Sequence, residues 1–544
     1  MANKRSSRKK AKTAQQLTTE STEKRRFVLQ HFITALILLI YGFFLAHQNN
    51  LAVGDLGRHL KNGQLFVESG LIARTNLYSY TYPDYPFINH HWGSGVVFYL
   101  IERFLGISGL SIAFILISLV TLFLFLKLAI RYSSFALAAP IAVVALPVLI
   151  TRHEVRPELF SYLFSGLFLH VLWGYKDRIL GVRWLFLLPL LQVLWVNLHI
   201  YFFLGVVLIA VFLFELLATF LAGATNKGIT SQLKALARAL ILTMLAACVN
   251  PSGIAGAIYP LFILDEYEVP VIENYSVPAI LEAGFEFIPL IYFLIAFGLL
   301  CLSWVYVVAK HRARFSLGNF LLSVMVSAMA WGAIRNFALF AYFALAVTAV
   351  NLKGFQQKAE PGNSTRSIFR VPVTLLVISL VLVLIKPAYF VSSNRGRVGI
   401  GLEPGNDAAA KFFLQGKLQG PVVNNFDVAG YLIYHLYPTQ QVFVDNRPEA
   451  YPGSFFREVY FPLQADEETW KKISDLYGFN VIFFNHRERS VRGQQFIVRR
   501  VLDPAWAPVF FDRNIVILVK RHGPNQSTIA KYELPKESVL ARSN

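Results

Sequence analysis

Gly54-Asp55-Leu56-Gly57-Arg58-His59-Leu60-Lys61-Asn62-Gly63 follows directly on the first long apolar run of the chain. Continued as a helix over residues 54–68, it sets Asp55, His59 and Asn62 on one stripe at i, i+4 and i+7. Leu56, Leu60 and Val67 then form a neighbouring apolar stripe. Such a segment lies flat at a membrane surface and holds a carboxylate over whatever arrives there. The plainer reading of Asp55 is a helix cap, since Asp favours the position just before a helix.

The rest of the chain fits a membrane setting. At 544 residues it is too long for one globular core. It is 55% hydrophobic and only 15% charged, which excludes an ordinary soluble protein. Several apolar runs reach roughly 20 residues, the length a helix needs to cross a bilayer core. A net charge of +19 would suit nucleic acid, but much of it lies in residues 1–26 and in short loops. Basic residues there fix membrane topology, so no nucleic-acid partner is expected. Cys248 and Cys301 lie in apolar runs, read as buried thiols, and offer neither a disulfide framework nor zinc spacing.

Residues 1–26 are polar and basic and read as a disordered cytoplasmic tail. The run Phe27–His47 is too long for a signal peptide and lacks a cleavage site, so it reads as a retained anchor. Further spans are read near 109–130, 134–150, 158–174, 184–198, 201–221, 235–249, 287–309, 316–333, 336–352 and 370–388. The transmembrane domain is thus 27–389, with about eleven helices and a first outer loop over 48–108. Lys and Arg concentrate in alternate loops, while loop 250–286 carries Asp265, Glu266, Glu268, Glu273, Glu282 and Glu286 with no Lys or Arg. This places the amino terminus in the cytoplasm and that loop outside. Residues 390–544 have the composition of an α/β domain, which an odd span count puts outside. Strands are read at Pro421–Val423, Gln441–Val444 and Asn480–Phe484, helices at Val428–Tyr437 and Glu467–Leu476, and a hairpin over Val509–Val519.

With that topology the polar motifs gather at the outer ends of the spans. Arg152 and Arg156 sit four residues apart at a junction between spans, suited to gripping a phosphate through forked hydrogen bonds. Local pairing with Glu154 and Glu158 is the alternative. Arg335 is a third cation of the same kind. His199, with Asn197 beside it, is a candidate to orient a sugar or phosphate, His90 and His91 with Trp92 suit stacking on a sugar ring, and His59 and His91 join the substrate-binding candidates. Trp92 is equally an interfacial anchor, and His199 equally a partner for a helix-end carbonyl. No histidine spacing demands a metal. In the C-terminal domain, Asp445-Asn446-Arg447-Pro448-Glu449 follows a strand, where α/β folds place ligands.

The pattern resembles the C-type (GT-C) polytopic membrane glycosyltransferases, and within them a bacterial group. The stretches that carry it are Gly54-Asp55…His59…Gly63, Leu77-Tyr78-Ser79-Tyr80-Thr81 with Trp92, and Arg156-Pro157-Glu158-Leu159-Phe160. Trp195-Val196-Asn197-Leu198-His199, Asn250-Pro251-Ser252-Gly253, Arg335-Asn336 and Val444-Asp445-Asn446-Arg447-Pro448-Glu449 continue it. The resemblance implies an α-helical polytopic fold with an extracytoplasmic α/β domain in the bacterial inner membrane. It implies a polyprenyl-phosphate-linked sugar as donor, in contact with membrane lipid, and a glycan, lipid or protein as acceptor. It makes Asp55 the base. Protein mannosyltransferases place two adjacent acids in this loop, whereas here Leu56 follows Asp55, so the need for a divalent metal stays open. A non-catalytic scaffold of the same fold is the first alternative and a transporter the second. Against the transporter, the chain shows no corresponding pair of broken spans and no ionisable residue deep in a span.

Overall fold

The computed structural model describes residues 2–223, 228–263, 269, 272–284, 287–354, 398–488 and 490–543. The expected span 370–388 and the acids Asp265, Glu266, Glu268 and Glu286 lie outside the described residues. Helix α1 (Ala2–Leu45) is continuous, so the basic stretch expected to be disordered is helical instead. Residues 2–26 contain no glycine or proline, and Lys, Arg, Gln and Ala propagate a helix well once the apolar run nucleates it.

Among the described residues six helices are long and apolar enough to cross a membrane: Glu23–Leu45, Trp92–Tyr132, Ile200–Leu221, Ile229–Ala247, Ile288–Lys310 and Ile334–Gly354. The chain is a multi-pass membrane protein. Other segments read as spans are shorter, such as Phe135–Leu149 and Leu317–Gly332. The helices follow in order as α2 (Leu56–Ser69), α3 (Trp92–Tyr132), α4 (Phe135–Leu149), α5 (Glu158–Lys176), α6 (Leu187–Leu198), α7 (Phe203–Leu221) and α8 (Ile229–Ala247). Then come the short α9 (Gly253–Ile258) and α10 (Val277–Glu282), and α11 (Ile288–Lys310), α12 (Leu317–Gly332) and α13 (Phe337–Asn351). Helix α13 is apolar all round and buried at every position but Val350, as a central helix should be. Helix α3 begins earlier than the expected span, since a further helical segment precedes it across a kink at Gly106, whose φ of 66° leaves the helical region. Cys301 faces outward from α11 and is exposed, where the sequence suggested a buried thiol. In a membrane bundle an apolar helix face turns to lipid.

Helix α2 matches the periodicity of the sequence but not the expected surface position. Residues Leu56 to Gly63 are all buried, Arg58, His59, Lys61 and Asn62 included. The helix is wedged between α3 and the helix Ala429–Leu436 of the C-terminal region. Glycines make both contacts close. A Cβ on Gly63 would lie 2.0 Å from the Gly95 carbonyl oxygen, and one on Gly57 2.3 Å from that of Gly430. Gly63→Ala is therefore expected to cost about 2 kcal/mol, since the opposing atom is rigid backbone. Thermal unfolding of the purified protein measures this, and an unchanged midpoint would contradict the close packing.

The C-terminal region carries a four-stranded mixed sheet in the order β1-β2-β4-β3. Strands β1 (Val422–Asn424) and β2 (Val481–Asn485) are parallel, while β4 (Ile515–Lys520) runs antiparallel to both β2 and β3 (Trp506–Phe511). The hairpin and the helix at Glu467–Tyr477 follow the sequence reading. Gln441–Val444 does not join the sheet. Val442 bridges instead to Ser79 of the first long loop, its N–H donating to the Tyr78 carbonyl at 3.0 Å. Further bonds lace the two regions together. The N–H of Asn49 donates to the Gly401 carbonyl at 2.7 Å, the N–H of Leu51 to Asn406 Oδ1 at 3.2 Å, and Asn485 Nδ2 to the Ala52 carbonyl at 3.2 Å.

Candidate active site

Asp55 takes the capping position of α2 by backbone, yet its side chain makes no capping hydrogen bond. The carboxylate is directed elsewhere. Oδ1 accepts a hydrogen bond from Asn446 Nδ2 and lies 3.7 Å from Arg58 Nη2. Oδ2 has no hydrogen bond among the described residues. Asp55 keeps about 30% of its side-chain surface exposed, while Arg58 keeps 6%. The exposed part opens into a cleft with about 560 Å³ of empty space, some of it continuous with solvent. His47, Gln48, Asn50, His153, Glu154 and Arg156 share its wall.

The three arginines singled out from the sequence meet at one carboxylate. Glu273 Oε2 lies 2.8 Å from Arg156 Nη1, 3.1 Å from Arg152 Nη1 and 3.7 Å from Arg335 Nη2. These residues come from the α4–α5 junction, the α12–α13 junction and the segment before α10, so helix ends supply them all. Arg152 also pairs with Glu158 at 3.0 Å, and Arg156 with Glu154 at 2.7 Å. The cluster thus balances three guanidiniums against three carboxylates. Burial pushes the Glu273 carboxyl up, but Arg152, Arg156 and Arg335 outweigh it and hold the group well below the usual carboxylate range. Arg156 belongs to both the cluster and the cleft and joins the two.

His59, His91 and His199 come together, with His90, as a cluster of packed rings in which His91 is half-buried and the others are buried. The ring centroids of His59 and His91 are 5.5 Å apart, those of His91 and His199 5.0 Å, and those of His90 and His91 4.0 Å. Ser161 Oγ, which accepts from Trp195 Nε1 at 2.7 Å, donates to His199 Nδ1 at 2.7 Å. Trp92 Nε1 donates to Asn197 Oδ1 at 2.8 Å, and Asn197 Nδ2 to the Val249 carbonyl at 2.8 Å. None of His59, His91, Trp92, Asn197 and His199 lines the Asp55 cleft.

Burial holds His59, His91 and His199 well below the usual histidine range, and His90 at about 4. Histidines with depressed folded values stabilise the fold above their unfolded value of about 6.5 and lose that contribution as pH falls. The unfolding free energy is therefore expected to fall by up to ~1.4 kcal/mol per pH unit for each imidazole as pH drops from about 7 toward 4, and the unfolding midpoint with it. A midpoint that stays level over this window would contradict four neutral rings.

The described residues do not fit a resident divalent cation. Among the described residues no group of three His, Cys, Asp or Glu side chains is placed to hold one. The Asp55 carboxylate is bonded to an amide and flanked by a guanidinium, which disfavours a second cation there.

No protein-family model matches the chain, and no curated protein matches it in sequence. Solved structures match it in fold. The chain is similar to the archaeal oligosaccharyltransferase AglB from Archaeoglobus fulgidus, solved with an inhibitory peptide and a dolichol-phosphate. The TM-score is 0.56 at 11% identity, covering 88% of this chain and 72% of that one. It is also similar to ArnT from Cupriavidus metallidurans, solved with undecaprenyl phosphate, with a TM-score of 0.50 at 12% identity over 94% of this chain and 99% of that one. The Archaeoglobus fulgidus oligosaccharyltransferase solved with Zn and sulfate gives 0.53 at 12% identity, over 90% and 73%. The chain has the GT-C fold. Three residues that contact the candidates, Glu273, Asn446 and Arg58, lie in stretches the sequence reading quoted without giving any of them a role of its own. Glu273 was visible only as one acid in a loop without Lys or Arg. Arg58 and Asn446 are 388 positions apart, which no local spacing signals.

Proposed function

We propose that the chain is a membrane glycosyltransferase that moves a sugar from a polyprenyl-phosphate donor to an acceptor hydroxyl at the outer face of the bacterial inner membrane. The observation that carries this reading is the cleft between Asp55 and Arg156, which joins a carboxylate with a free oxygen to a three-guanidinium cluster. The GT-C fold supports it, as do the polyprenyl phosphates in two of the similar structures. The reading includes about eleven spans, a cytoplasmic amino terminus and an outer C-terminal domain.

In the reaction the acceptor oxygen attacks the anomeric carbon and the bond from that carbon to the phosphate oxygen breaks. Asp55 takes the acceptor proton through Oδ2. The departing phosphate gains charge, which Arg152, Arg156 and Arg335 offset. For this the phosphate displaces Glu273 from the guanidiniums, because the cluster is otherwise neutral. His59, His91 and His199 pack ring against ring and Trp92 bonds to Asn197, all outside the cleft, so in this reading they hold the helix ends and do not touch substrate.

The neutral cluster also favours a second reading, a non-catalytic scaffold whose arginines serve structure alone. Purified protein in lipid nanodiscs, offered a set of radiolabelled polyprenyl-phosphate sugars and lipid or glycan acceptors, decides between them. Turnover that yields polyprenyl phosphate supports the enzyme. Neither turnover nor donor binding, with wild-type and Arg152→Ala protein indistinguishable, supports the scaffold.

A further inference from the structure

We infer that Asn446 positions the Asp55 carboxylate, so that the C-terminal α/β region supplies part of the active centre. The inference rests on Asp55 acting as the base. Asn446 uses its amide at both ends. Nδ2 donates to Asp55 Oδ1 and, at 3.1 Å, to the Gly54 carbonyl, while Oδ1 accepts from Arg58 Nε at 3.1 Å. Arg58 can only donate, and the two oxygens facing Nδ2 can only accept, so the partners fix the orientation of the amide. With Oδ1 of Asp55 tied down, Oδ2 is the oxygen left to take a proton. One oxygen anchored and one open is what an oriented carboxylate base requires.

The loop that presents Asn446 is rigid for reasons unrelated to Asp55. Its neighbour Arg447 is fully buried. The Arg447 guanidinium is paired with Asp445, donates to Asn76 Oδ1 at 2.7 Å and stacks over the Phe87 ring at 4.5 Å. Tyr451 accepts the Asp445 N–H through its hydroxyl at 2.8 Å. On the other side Gly57 meets Gly430 backbone to backbone, which fixes the distance between α2 and this region. Asn446 is therefore a built contact between two rigid parts, one of which ends in the proposed base.

The test uses the full chain in nanodiscs. Asn446→Ala is expected to lower kcat about tenfold or more while leaving KM for the donor within twofold, because a mis-set base slows the chemical step and not donor capture. Asn446→Asp sets a second carboxylate against Asp55, with Arg58, Arg156, His153, Glu154 and His47 around the pair. Two adjacent carboxylates resist ionising together, so the acidic limb of the pH–rate profile is expected to move to higher pH. Gln441→Ala serves as the comparison. Gln441 ties the same region to the Leu77 carbonyl at 3.2 Å without reaching Asp55, and its loss is expected to leave the profile unchanged. An Asn446→Ala protein with wild-type kcat, beside an inactive Asp55→Asn, overturns the inference alone. So does an Asn446→Asp profile that matches wild type. Full activity in Asp55→Asn instead removes the base reading on which the inference stands.

Discussion

Asp55→Asn is expected to lower sugar transfer by a factor of about 10² to 10⁴, the usual contribution of a positioned general base. The substitution preserves size while removing the ability to accept a proton, together with the charge that faces Arg58. The new amide can turn its oxygen toward Asn446 Nδ2, so the bond that holds this position to the C-terminal region survives. Unfolding temperature and donor binding should therefore stay close to wild type. The measurement is release of radiolabelled sugar from a polyprenyl-phosphate donor, with donor binding followed separately on the same preparation. Transfer at the wild-type rate would remove Asp55 as the base.

Glu273 has the second large effect, and it acts in two directions. Removing the carboxylate in Glu273→Ala leaves Arg152, Arg156 and Arg335 without their shared counter-ion. The side chains are mostly buried, with Arg152 at 12% exposure and Glu273 at 27%, so the loss is expected to cost about 3 kcal/mol of stability. The same change vacates the position that an incoming phosphate must take. A short-chain polyprenyl phosphate should bind Glu273→Ala about tenfold more tightly, equivalent to about 1.4 kcal/mol. The bound ligand should also restore part of the lost stability, since a ligand of the folded state adds to it. Calorimetric titration and thermal unfolding of one preparation report both effects. A variant that is destabilised but binds the lipid phosphate no better would leave Glu273 a structural counter-ion and nothing more.

The parts of this arrangement that were legible in the sequence are those that local spacing encodes. The stripe of α2, the apolar runs and the placement of Arg152, Arg156 and Arg335 at helix ends all follow from neighbours a few residues apart. Convergence on Glu273 does not, because it depends on how three inter-helix segments fold over one another. The same limit explains Gln441–Val444. Its apolar alternation suits a strand, but the partner that claims Val442 is Ser79, far away in sequence. It also explains α2 itself. Its polar face suggested water or lipid headgroups, yet Arg58, Lys61 and Asn62 find partners in Asn446, the Tyr437 carbonyl and the Tyr78 hydroxyl. The histidines were legible as residue types only: their spacing gave no sign that His59, His91 and His199 pack ring against ring.

The backbone contact between Gly57 and Gly430 carries a consequence for modular engineering. A chimaera that grafts a foreign carboxy-terminal half onto this transmembrane half would need a bare backbone at the seam and an amide at the place of Asn446. Lacking either, the two halves would fold side by side but meet out of register by the width of a methyl group, and the acid beneath them would turn with the misfit.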